Sequence, residues 1–575
     1  MRRRRGPSRA PYAGAFERRL KPSASVAAAI GLTVLAAYLA NGRPIGSGDA
    51  RPTERVAASL VTELDFDLDE YPEVTPPFAR EVDGRRVSIY PVLSGLLAAP
   101  VFLAARQLFA MDETGTALAG KLAASLLSAA AVAVFFLALG RRQLPSEAGG
   151  AALVLGLGTG LWAASQALWQ HPAAVLFVCA SMLFLVRAEE EPRWAARAGL
   201  PLSLAVAARH ADVALAAALA VACAVRWPRQ LPGMLLWAAP GAAFVLGYQW
   251  LHFGSPLSHG FSGALDRFDA AGVGHLGLLA SPAKGLLVYT PVAAVAGLGL
   301  ARALGRSAER PLALSFGAAW LAHWLMTGAW GEWHGGRCWG PRLMTDALPL
   351  LFFFLPRGLE RAGRLGTLLA ALSIGVQALG AFSYDYRWER VERRRGGGEA
   401  PPLWSVLDSP IPFHLRERVV IAALPGVHDG RAVVHRYPLV VLGARGFAVG
   451  FTEGRTVVSG EPASFGDVHL QQGAFVEGGA ARLRGRWAGL FLRVLPEARP
   501  QRLQLRLIGS GTGTLYVGES TFWSAAPRWA SYPVSGRFDL SHGYEFAGSG
   551  GGELLVTLGR ARGEVDLEAV RLTPR

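Results

Sequence analysis

The sequence predicts a polytopic α-helical membrane protein of about eleven transmembrane helices that ends in a β-sandwich domain. Of its 575 residues, 51% are hydrophobic, and the mean hydropathy is +0.28. Apolar runs long enough to cross a bilayer recur as far as about residue 384 and then stop. Beyond residue 419, apolar and polar residues alternate between glycine-rich turns, a pattern typical of short antiparallel strands.

Arginine placement gives the orientation. The basic residues are almost all Arg, and they gather beside the ends of apolar runs. Arg2–Arg5 precede the first run, Ser23–Ala40, so the positive-inside rule places residues 1–22 in the cytoplasm. A cleaved signal peptide is the alternative, but no small-x-small site precedes a polar mature domain, so we predict an uncleaved span. Orientation thus accounts for the net charge of +15, and no basic–aromatic module indicates nucleic-acid binding.

A long acidic loop, residues 41–118, follows the first span. Within it, Ser88–Phe109 is apolar enough to be a span itself. If it crossed the membrane, Arg141 and Arg142 would lie outside, so we predict an interfacial helix instead. Pro91 and Pro100 interrupt the segment and agree with that interpretation.

The remaining spans then alternate consistently within a membrane region of residues 23–390. They end in a linker, 391–418, and a β-sandwich domain, 419–575, outside the cytoplasm. These features predict a multi-pass protein of the bacterial inner (plasma) membrane. The predicted spans after the loop are Gly120–Leu139, Gly149–Leu168, Pro172–Val186, Gly199–Ala208, Val213–Val225, Met234–Leu251, Gly285–Leu304, Pro311–Ala329, Leu343–Leu355 and Leu365–Ala381.

Asp49 is a candidate catalytic residue, because it lies just after the first span on the non-cytoplasmic side. A carboxylate there can take a proton from an acceptor hydroxyl during group transfer. The alternative is a solvated loop aspartate near the turn Gly46–Asp49.

Four cations on the same side are candidate ligands for a lipid-linked phosphate: Lys121, Arg209, Lys284 and Arg342. The alternative is that their side chains extend to the membrane interface. Arg209 fits that alternative least, because it falls between two short spans and needs a partner. Asp212 is the structural candidate for that partner.

The stretch Trp330–Arg342 is rich in Trp, Gly and Arg. Its aromatic rings, Trp330, Trp333 and Trp339, are candidate contacts for a sugar or a lipid, with an interfacial aromatic belt as the alternative. His334 is a possible metal ligand, but no spaced partner accompanies it, so we predict no metal and no other cofactor. The three cysteines show no disulfide or metal-ligand spacing.

Several of these features together resemble membrane glycosyltransferases of the C-type fold (GT-C), including protein O-mannosyltransferases and lipid A aminoarabinose transferases. The matching residues are Asp49 after the first span, Tyr90-Pro91 in the loop helix, Lys121 opening the second span, and the broken span pair with Arg209. The chain looks most like a group of uncharacterised bacterial GT-C-like proteins. The segments that carry this likeness are Ser165–His171, Phe253–Leu257, Ser281–Pro291 and Trp339–Asp346.

The resemblance implies that a sugar is transferred from a polyprenyl-phosphate-linked donor to an acceptor glycan, lipid or protein at the outer face. Asp49 would be the base. Lys121, Arg209, Lys284 and Arg342 would bind phosphate. His171 occupies the place of an acid that several relatives carry in the second outer loop. His171 and Arg337 are further candidate substrate or phosphate ligands, and Tyr90 is a further candidate sugar or lipid contact. Many relatives have Asp-Glu where this chain has Asp49-Ala50.

Two other functions compete with this one. A transporter or flippase of lipid-linked glycans would distribute polar residues through the span centres, whereas here they crowd at the outer ends. A non-catalytic scaffold for envelope assembly would need only the tail domain.

Overall fold

The computed structural model describes two compact units, and the main division between them falls at Tyr386. The described residues are 22–258, 260–261, 267–269, 272–384, 386, 388–389, 402–417, 420–428, 431–440, 447–452, 455–460, 465–471, 474–477, 480–484, 489–494, 501–521, 528–546, 552–558 and 563–574.

The first unit is helical. Its helices are α1 (Ala24–Leu39), α2 (Arg51–Thr62), α3 (Leu93–Ala105), α4 (Glu113–Leu139), α5 (Pro145–Leu157), α6 (Gly160–Ala164), α7 (His171–Ala188), α8 (Arg193–Arg197), α9 (Gly199–Ala208), α10 (Val213–Arg226), α11 (Leu231–Phe253), α12 (Gly274–Ala280), α13 (Leu286–Tyr289), α14 (Val292–Leu304), α15 (Arg310–Gly328), α16 (Leu348–Phe352) and α17 (Leu355–Ser383). Short 3₁₀ turns at His210–Asp212, Pro228–Gln230 and Arg342–Ala347 connect several of them.

Four helices in the described part of the chain are long and apolar enough to cross a membrane: Glu113–Leu139, His171–Ala188, Pro228–Phe253 (which includes a 3₁₀ turn) and Leu355–Ser383. The protein is therefore a membrane protein by its helices, and the count of about eleven spans stays a prediction. The first of the four begins at Glu113, seven positions before the predicted Gly120, because Asp112 caps it by accepting a hydrogen bond from Gly115 N at 2.9 Å.

Three predicted spans are not continuous helices. Gly149–Leu168 breaks after α5, because Thr159 turns its hydroxyl back to Leu155 O at 2.6 Å and accepts from Leu161 N at 3.2 Å, which starts α6. Gly285–Leu304 is divided at Thr290-Pro291 between α13 and α14. Leu343–Leu355 consists of most of the 3₁₀ turn Arg342–Ala347 followed by the five-residue helix α16. Such breaks free backbone groups and place polar side chains at the helix ends.

The loop after α1 has its own structure. The helix α2 carries an amphipathic pattern, and a two-stranded hairpin follows it, β1 (Ala79–Val82) and β2 (Arg85–Ser88). The predicted interfacial segment Ser88–Phe109 contains the helix α3, which packs on α2 and α4. Its position at a membrane interface stays a prediction.

The helices α14 and α17 pack closely against each other in this unit. A Cβ at Gly299 would lie 2.0 Å from Phe354 O, and one at Gly358 would lie 1.9 Å from Val295 O. The backbones of α14 and α17 therefore touch at these glycines, as is common where transmembrane helices associate.

The second unit is built on antiparallel strands. The helix and strands that follow residue 402 are α18 (Pro410–Glu417), β3 (Val420–His428), β4 (Arg431–Val440), β5 (Phe447–Thr452), β6 (Arg455–Gly460), β7 (Phe465–Gln471), β8 (Ala474–Glu477), β9 (Ala480–Arg484), β10 (Gly489–Val494), β11 (Gln501–Thr521), β12 (Arg528–Phe546), β13 (Gly552–Leu558) and β14 (Glu564–Pro574). Of these, residues 402–410 and 425–434 belong to the first unit.

Ten of these strands form one hydrogen-bonded sheet, and β3 pairs with β4. The long strand β11 pairs with β12 along its length, with β14 over its first half and with β13 over its second half. Along β11, Leu505 and Leu507 are buried while Gln504 and Arg506 are exposed, as the period-two pattern predicts. The antiparallel sheet domain is confirmed, and its division into two packed layers stays a prediction.

Candidate functional site

Asp49 lies in the loop that leads into α2, just before the helix N-terminus. Ser47 donates its hydroxyl hydrogen to Asp49 Oδ1, and Trp169 Nε1 donates to the same oxygen at 3.4 Å. The side chain is 20% exposed. The loop therefore holds a carboxylate that is largely buried, supplied with donors and still reachable from solvent.

Arg342 forms an ion pair with Asp49 Oδ2. Its guanidinium also donates to Gly335 O at 2.8 Å and lies 5.2 Å from the centre of the Trp169 ring. Burial alone would raise the pKa of Asp49, but the nearby charge and hydrogen bond of Arg342 outweigh it and lower that pKa below its ordinary value. The Asp49–Arg342 pair is thus fully ionised at neutral pH.

The glycine-rich loop before Arg342 sets the geometry of this pair. Gly335 and Gly336 have φ of 69° and 68°, a left-handed conformation that glycine adopts without steric cost. The turn points Gly335 O at Arg342 and brings the end of the loop back toward Asp49. This explains the Gly–Arg pattern of the stretch Trp330–Arg342 in physical terms.

Tyr90 joins the pair to a cleft. Burial, followed by the charge of Asp49, raises the pKa of its phenol, and the charge of Arg342 opposes this. Tyr90 also lines a small surface cleft of about 20 Å³, roughly the room for one water molecule. The other lining residues are mostly apolar: Ile89, Pro91, Val92, Ala207, His210, Phe244, Val245, Tyr248, Gln249, Phe253 and Gly260.

A second group of ionisable side chains surrounds Asp346, which lies on the same 3₁₀ turn as Arg342. Asp346 accepts from Arg209 Nη1 at 2.6 Å and lies 2.8 Å from His171 Nδ1. Asp212 and His323 complete this group, which we call the Asp346 cluster; Arg209 Nη1 lies 3.6 Å and His323 Nδ1 lies 3.4 Å from Asp212 Oδ1. Asp346, Asp212 and His323 are 0% exposed, and Arg209 is 12% exposed.

This cluster contains the ion-pair partner of Arg209. The closer carboxylate is Asp346 and not Asp212. His171, the first residue of α7, reaches the same carboxylate from a different helix. The breaks in the helices around residues 208–213 and 342–348 therefore place Arg209 and Asp346 beside His171.

Two predicted phosphate ligands already have protein acceptors. Lys121 Nζ donates to Asn41 Oδ1, to Arg43 O at 2.7 Å and to Gln166 Oε1 at 2.9 Å. Those three bonds use all the hydrogens of its ammonium group. Lys284 Nζ donates to Gly336 O at 2.9 Å and to Cys338 O at 2.6 Å. In this conformation the ammonium groups of both lysines donate to loop atoms, so few of their hydrogens remain for a phosphate.

The remaining predicted residues fall into exposed and buried sets. Arg337 is exposed, and Trp330 is partly buried with its ring 5.3 Å from that of Phe268. Trp333 and Trp339 are 7% and 3% exposed, so in this conformation they pack within the unit rather than facing a ligand.

His334 has cations for neighbours. Its Nδ1 accepts from Gly336 N at 3.1 Å. Burial, Lys284 and Arg342 lower its pKa to about 4, so it is neutral at physiological pH. Within the described residues, His334 is not part of a group of side chains spaced to hold a metal ion.

Sequence reasoning passed over two side chains. His323 lies in the middle of an apolar segment, and an ionisable residue inside such a segment is itself a signal of function. Glu54, on α2, is 5% exposed, and burial is the largest cause that raises its pKa to about 7. In the sequence it is one of several acidic residues of the same loop, and only its place on the amphipathic helix α2 marks it.

The chain was compared with known proteins. No family model matches it, and no curated protein matches it. Among solved structures, it is similar to ArnT from Cupriavidus metallidurans in the apo state, with 14% identity over 68% of this chain and 67% of that chain, and a TM-score of 0.41.

It is also similar to the Archaeoglobus fulgidus oligosaccharyltransferase, with 12% identity over 67% of this chain and 58% of that one, and a TM-score of 0.37. The third is the arabinofuranosyltransferase AftD from Mycobacteria, with 11% identity over 96% of this chain and 59% of that one, and a TM-score of 0.38. All three are GT-C-fold glycosyltransferases, the class that the sequence resembles.

Proposed function

We propose that this chain is a glycosyltransferase that uses a polyprenyl-phosphate-linked sugar donor and an acceptor at the outer face of the membrane. The observation that carries the proposal is the Asp49–Arg342 pair, a largely buried carboxylate and guanidinium beside Tyr90 and the apolar cleft. A carboxylate to accept a proton, a cation to hold a phosphate and an apolar surface for a lipid are what such a transfer requires.

Arg342 has two roles in this proposal. In the structure it neutralises Asp49, and the lowered pKa makes that carboxylate a weak base. A donor phosphate offers Arg342 a bidentate partner. When Arg342 turns to the phosphate, burial of Asp49 is no longer compensated and its pKa rises. Donor binding thereby prepares the base that deprotonates the acceptor hydroxyl.

The apolar wall of this cleft is the proposed surface for the lipid. Its wall is formed by apolar and aromatic side chains of α9, α11 and the loop at Tyr90. The helix α11 also exposes Leu235, Leu236, Trp250 and Leu251, which suits contact with membrane lipid. A prenyl chain entering between the membrane and this wall would bring its phosphate toward Tyr90 and Arg342.

Arg209 and Arg337 remain the other phosphate ligands of the proposal, and His171 positions Asp346. Arg337 is exposed and makes no hydrogen bond or ion pair within the described residues, so it is free to meet a second phosphate oxygen. The proposal keeps two further candidate phosphate ligands, Lys121 and Lys284, and three candidate sugar or lipid contacts, Trp330, Trp333 and Trp339.

The proposal includes a topology and a domain plan. Residues 1–22 are cytoplasmic, residues 23–390 form the catalytic membrane region in the inner membrane, and the sheet domain is extracytoplasmic. The partners are membrane lipids, the lipid-linked donor and an acceptor glycan, lipid or protein.

Asp49→Asn is the decisive test. The amide cannot accept the proton, so we expect the sugar transferred to surface glycans to fall by roughly 10²-fold or more, measured by mass spectrometry of envelope glycans from a complemented deletion strain. Asp83→Asn is the matched control, because Asp83 is an exposed acid of the same loop whose left-handed backbone (φ 51°) Asn tolerates. Equal transfer by Asp49→Asn and wild type would sink the proposal, as would glycans unchanged by deletion of the gene.

A further inference from the structure

The Asp346 cluster holds more negative charge than its cations balance. Asp212 and Asp346 are both completely buried, and Arg209 is the one arginine beside them among the described residues, 2.6 Å from Asp346 and 3.6 Å from Asp212. With neutral histidines the group carries one uncompensated negative charge. A buried charge of this kind is costly unless a proton or another cation neutralises it.

Asp212 is also short of hydrogen bonds. Neither of its carboxylate oxygens makes one, although the side chain is 0% exposed. A buried carboxylate normally accepts hydrogen bonds from several donors. The helix ends around it hold this carboxylate toward Asp346 and His323 without supplying a donor of their own.

The tautomer of His323 leaves a second buried atom without a hydrogen bond. Its Nε2 lies 2.8 Å from Leu343 O, and a carbonyl accepts only, so Nε2 carries the hydrogen. In the neutral ring, Nδ1 then points a lone pair at Asp212 Oδ1, 3.4 Å away, and Nδ1 has no hydrogen bond either. Two lone pairs facing each other in a dry site repel unless something positive lies between them.

One atom from each of Asp212, His323 and Asp346 lies within 4.8 Å of the others. Two carboxylate oxygens and an imidazole nitrogen are a common ligand set for Zn²⁺ and Mn²⁺. The surroundings are those of a metal site. His323 anchors its other nitrogen on a backbone carbonyl, and His171 and Arg209 orient the Asp346 carboxylate.

We propose that Asp212, Asp346 and His323 bind one divalent transition-metal ion, of which Zn²⁺ and Mn²⁺ are the test cases. The ion would lie between the 3₁₀ turn His210–Asp212, α15 and the 3₁₀ turn Arg342–Ala347, and so would connect the segments that carry Arg209 and Arg342. The metal site does not depend on the glycosyltransferase proposal. A chain that transfers no sugar could still bind the ion, and the reverse also holds.

Metal content of the full-length protein tests this directly. The chain is produced in medium supplemented with Zn²⁺ and Mn²⁺, purified in detergent, passed through metal-free buffer and analysed by inductively coupled plasma mass spectrometry. We expect about one ion per chain, and a decrease of at least tenfold in Asp212→Asn, since loss of a ligand weakens binding at least as much as loss of its orienting neighbour.

Asp65→Asn is the matched control. Asp65, Asp67 and Glu70 form the other group of acidic side chains, within the described residues, that lie close enough to hold an ion, and that group is partly exposed. Metal retained in Asp65→Asn and lost in Asp212→Asn supports the proposal. The opposite pattern overturns it, and so does a wild-type protein that carries no metal, which would leave a proton shared by the two carboxylates as the neutralising charge.

A spectroscopic measurement covers the case in which Asp212→Asn does not fold. Wild-type protein loaded with Mn²⁺ should show ¹⁴N modulation from one bound imidazole in pulsed electron paramagnetic resonance, and His323→Gln should lose it. Bound Mn²⁺ without a nitrogen signal in the wild type overturns the assignment.

Discussion

The 3₁₀ turn Arg342–Ala347 contributes Arg342 to the Asp49–Arg342 pair and Asp346 to the Asp346 cluster, yet the carboxylates of the two groups differ in access to water. The Asp49 side chain is 20% exposed, whereas those of Asp346 and Asp212 are 0% exposed; the two arginines, Arg342 at 10% and Arg209 at 12%, are alike. A carboxylate that solvent can reach is partly stabilised by water when its partner leaves. A carboxylate in the dry cluster has no such substitute. The first arrangement suits a group that must exchange partners, and the second suits one that holds helices in place.

The largest expected effect comes from Asp346→Asn. The substitution removes the carboxylate that contacts Arg209 at 2.6 Å and His171 at 2.8 Å and leaves Arg209 the more distant Asp212. Breaking a buried pair of this kind typically costs about 3–5 kcal/mol. We expect a much lower melting temperature in detergent, measured by intrinsic fluorescence.

Asp83→Asn, at an exposed position, should change stability by less than about 0.5 kcal/mol. If Asp346→Asn and Asp83→Asn melted together, the difference in exposure between the two groups would have no energetic meaning.

Glu54 extends the comparison to a buried carboxyl without a cation at its oxygens. Burial raises its pKa from the ordinary 4.5 to about 7, so between these values the folded chain holds a proton that the unfolded chain has lost. Stability therefore falls as pH rises from about 4.5 to 7, by at most roughly 3 kcal/mol at 1.36 kcal/mol per unit. Glu54→Gln cannot lose a proton, so the difference in melting temperature between wild type and variant should widen over that interval.

The direction of that difference is the check. Relative to Glu54→Gln, the wild type should be least stable at pH 8 and should approach the variant at pH 4.5. A wild-type curve parallel to that of the variant between pH 4.5 and 8 would mean that the pKa of Glu54 is the same in the folded and the unfolded chain.

The same distinction explains what the sequence could predict. Apolar length located the four long helices, and the alternation of Arg502–Leu507 located a strand with buried Leu505 and Leu507. These features depend on local composition. Asp49 and Arg342 were both chosen because each lies at the end of an apolar run, although 293 positions separate them and nothing local announces their contact.

The interior of the site was harder to foresee. Asp346 and not Asp212 is the closer partner of Arg209, because a 3₁₀ turn replaces the predicted span at Leu343 and returns the carboxylate to α9. His323 was missed because one polar residue in an apolar run barely changes its hydropathy. Lys121 looked like a ligand by position, but its acceptors come from Asn41, Arg43 and Gln166, which only the folded chain brings together.

The smallest effect among the site variants should come from Arg342→Gln. Asp49 keeps hydrogen bonds from Ser47 and Trp169 and some access to water, so the loss at pH 7 should be about 1–2 kcal/mol, less than for Asp346→Asn. Since Arg342 lowers the pKa of Asp49, its contribution is present above the ordinary pKa of an aspartate and is lost as pH falls through the lowered one. The stability difference between wild type and variant should therefore shrink on acidification.

Arg193→Gln separates this effect from the loss of any arginine. Arg193 and Glu191 form a 2.6 Å ion pair with side chains 71% and 51% exposed, and such surface pairs contribute about 0.5 kcal/mol or less. At pH 7 the melting temperature should therefore be highest for Arg193→Gln, lower for Arg342→Gln and lowest for Asp346→Asn. If Arg342→Gln matched Arg193→Gln, the Asp49–Arg342 pair would be too weak to hold Asp49 ionised, and the partner exchange proposed for donor binding would have nothing to release.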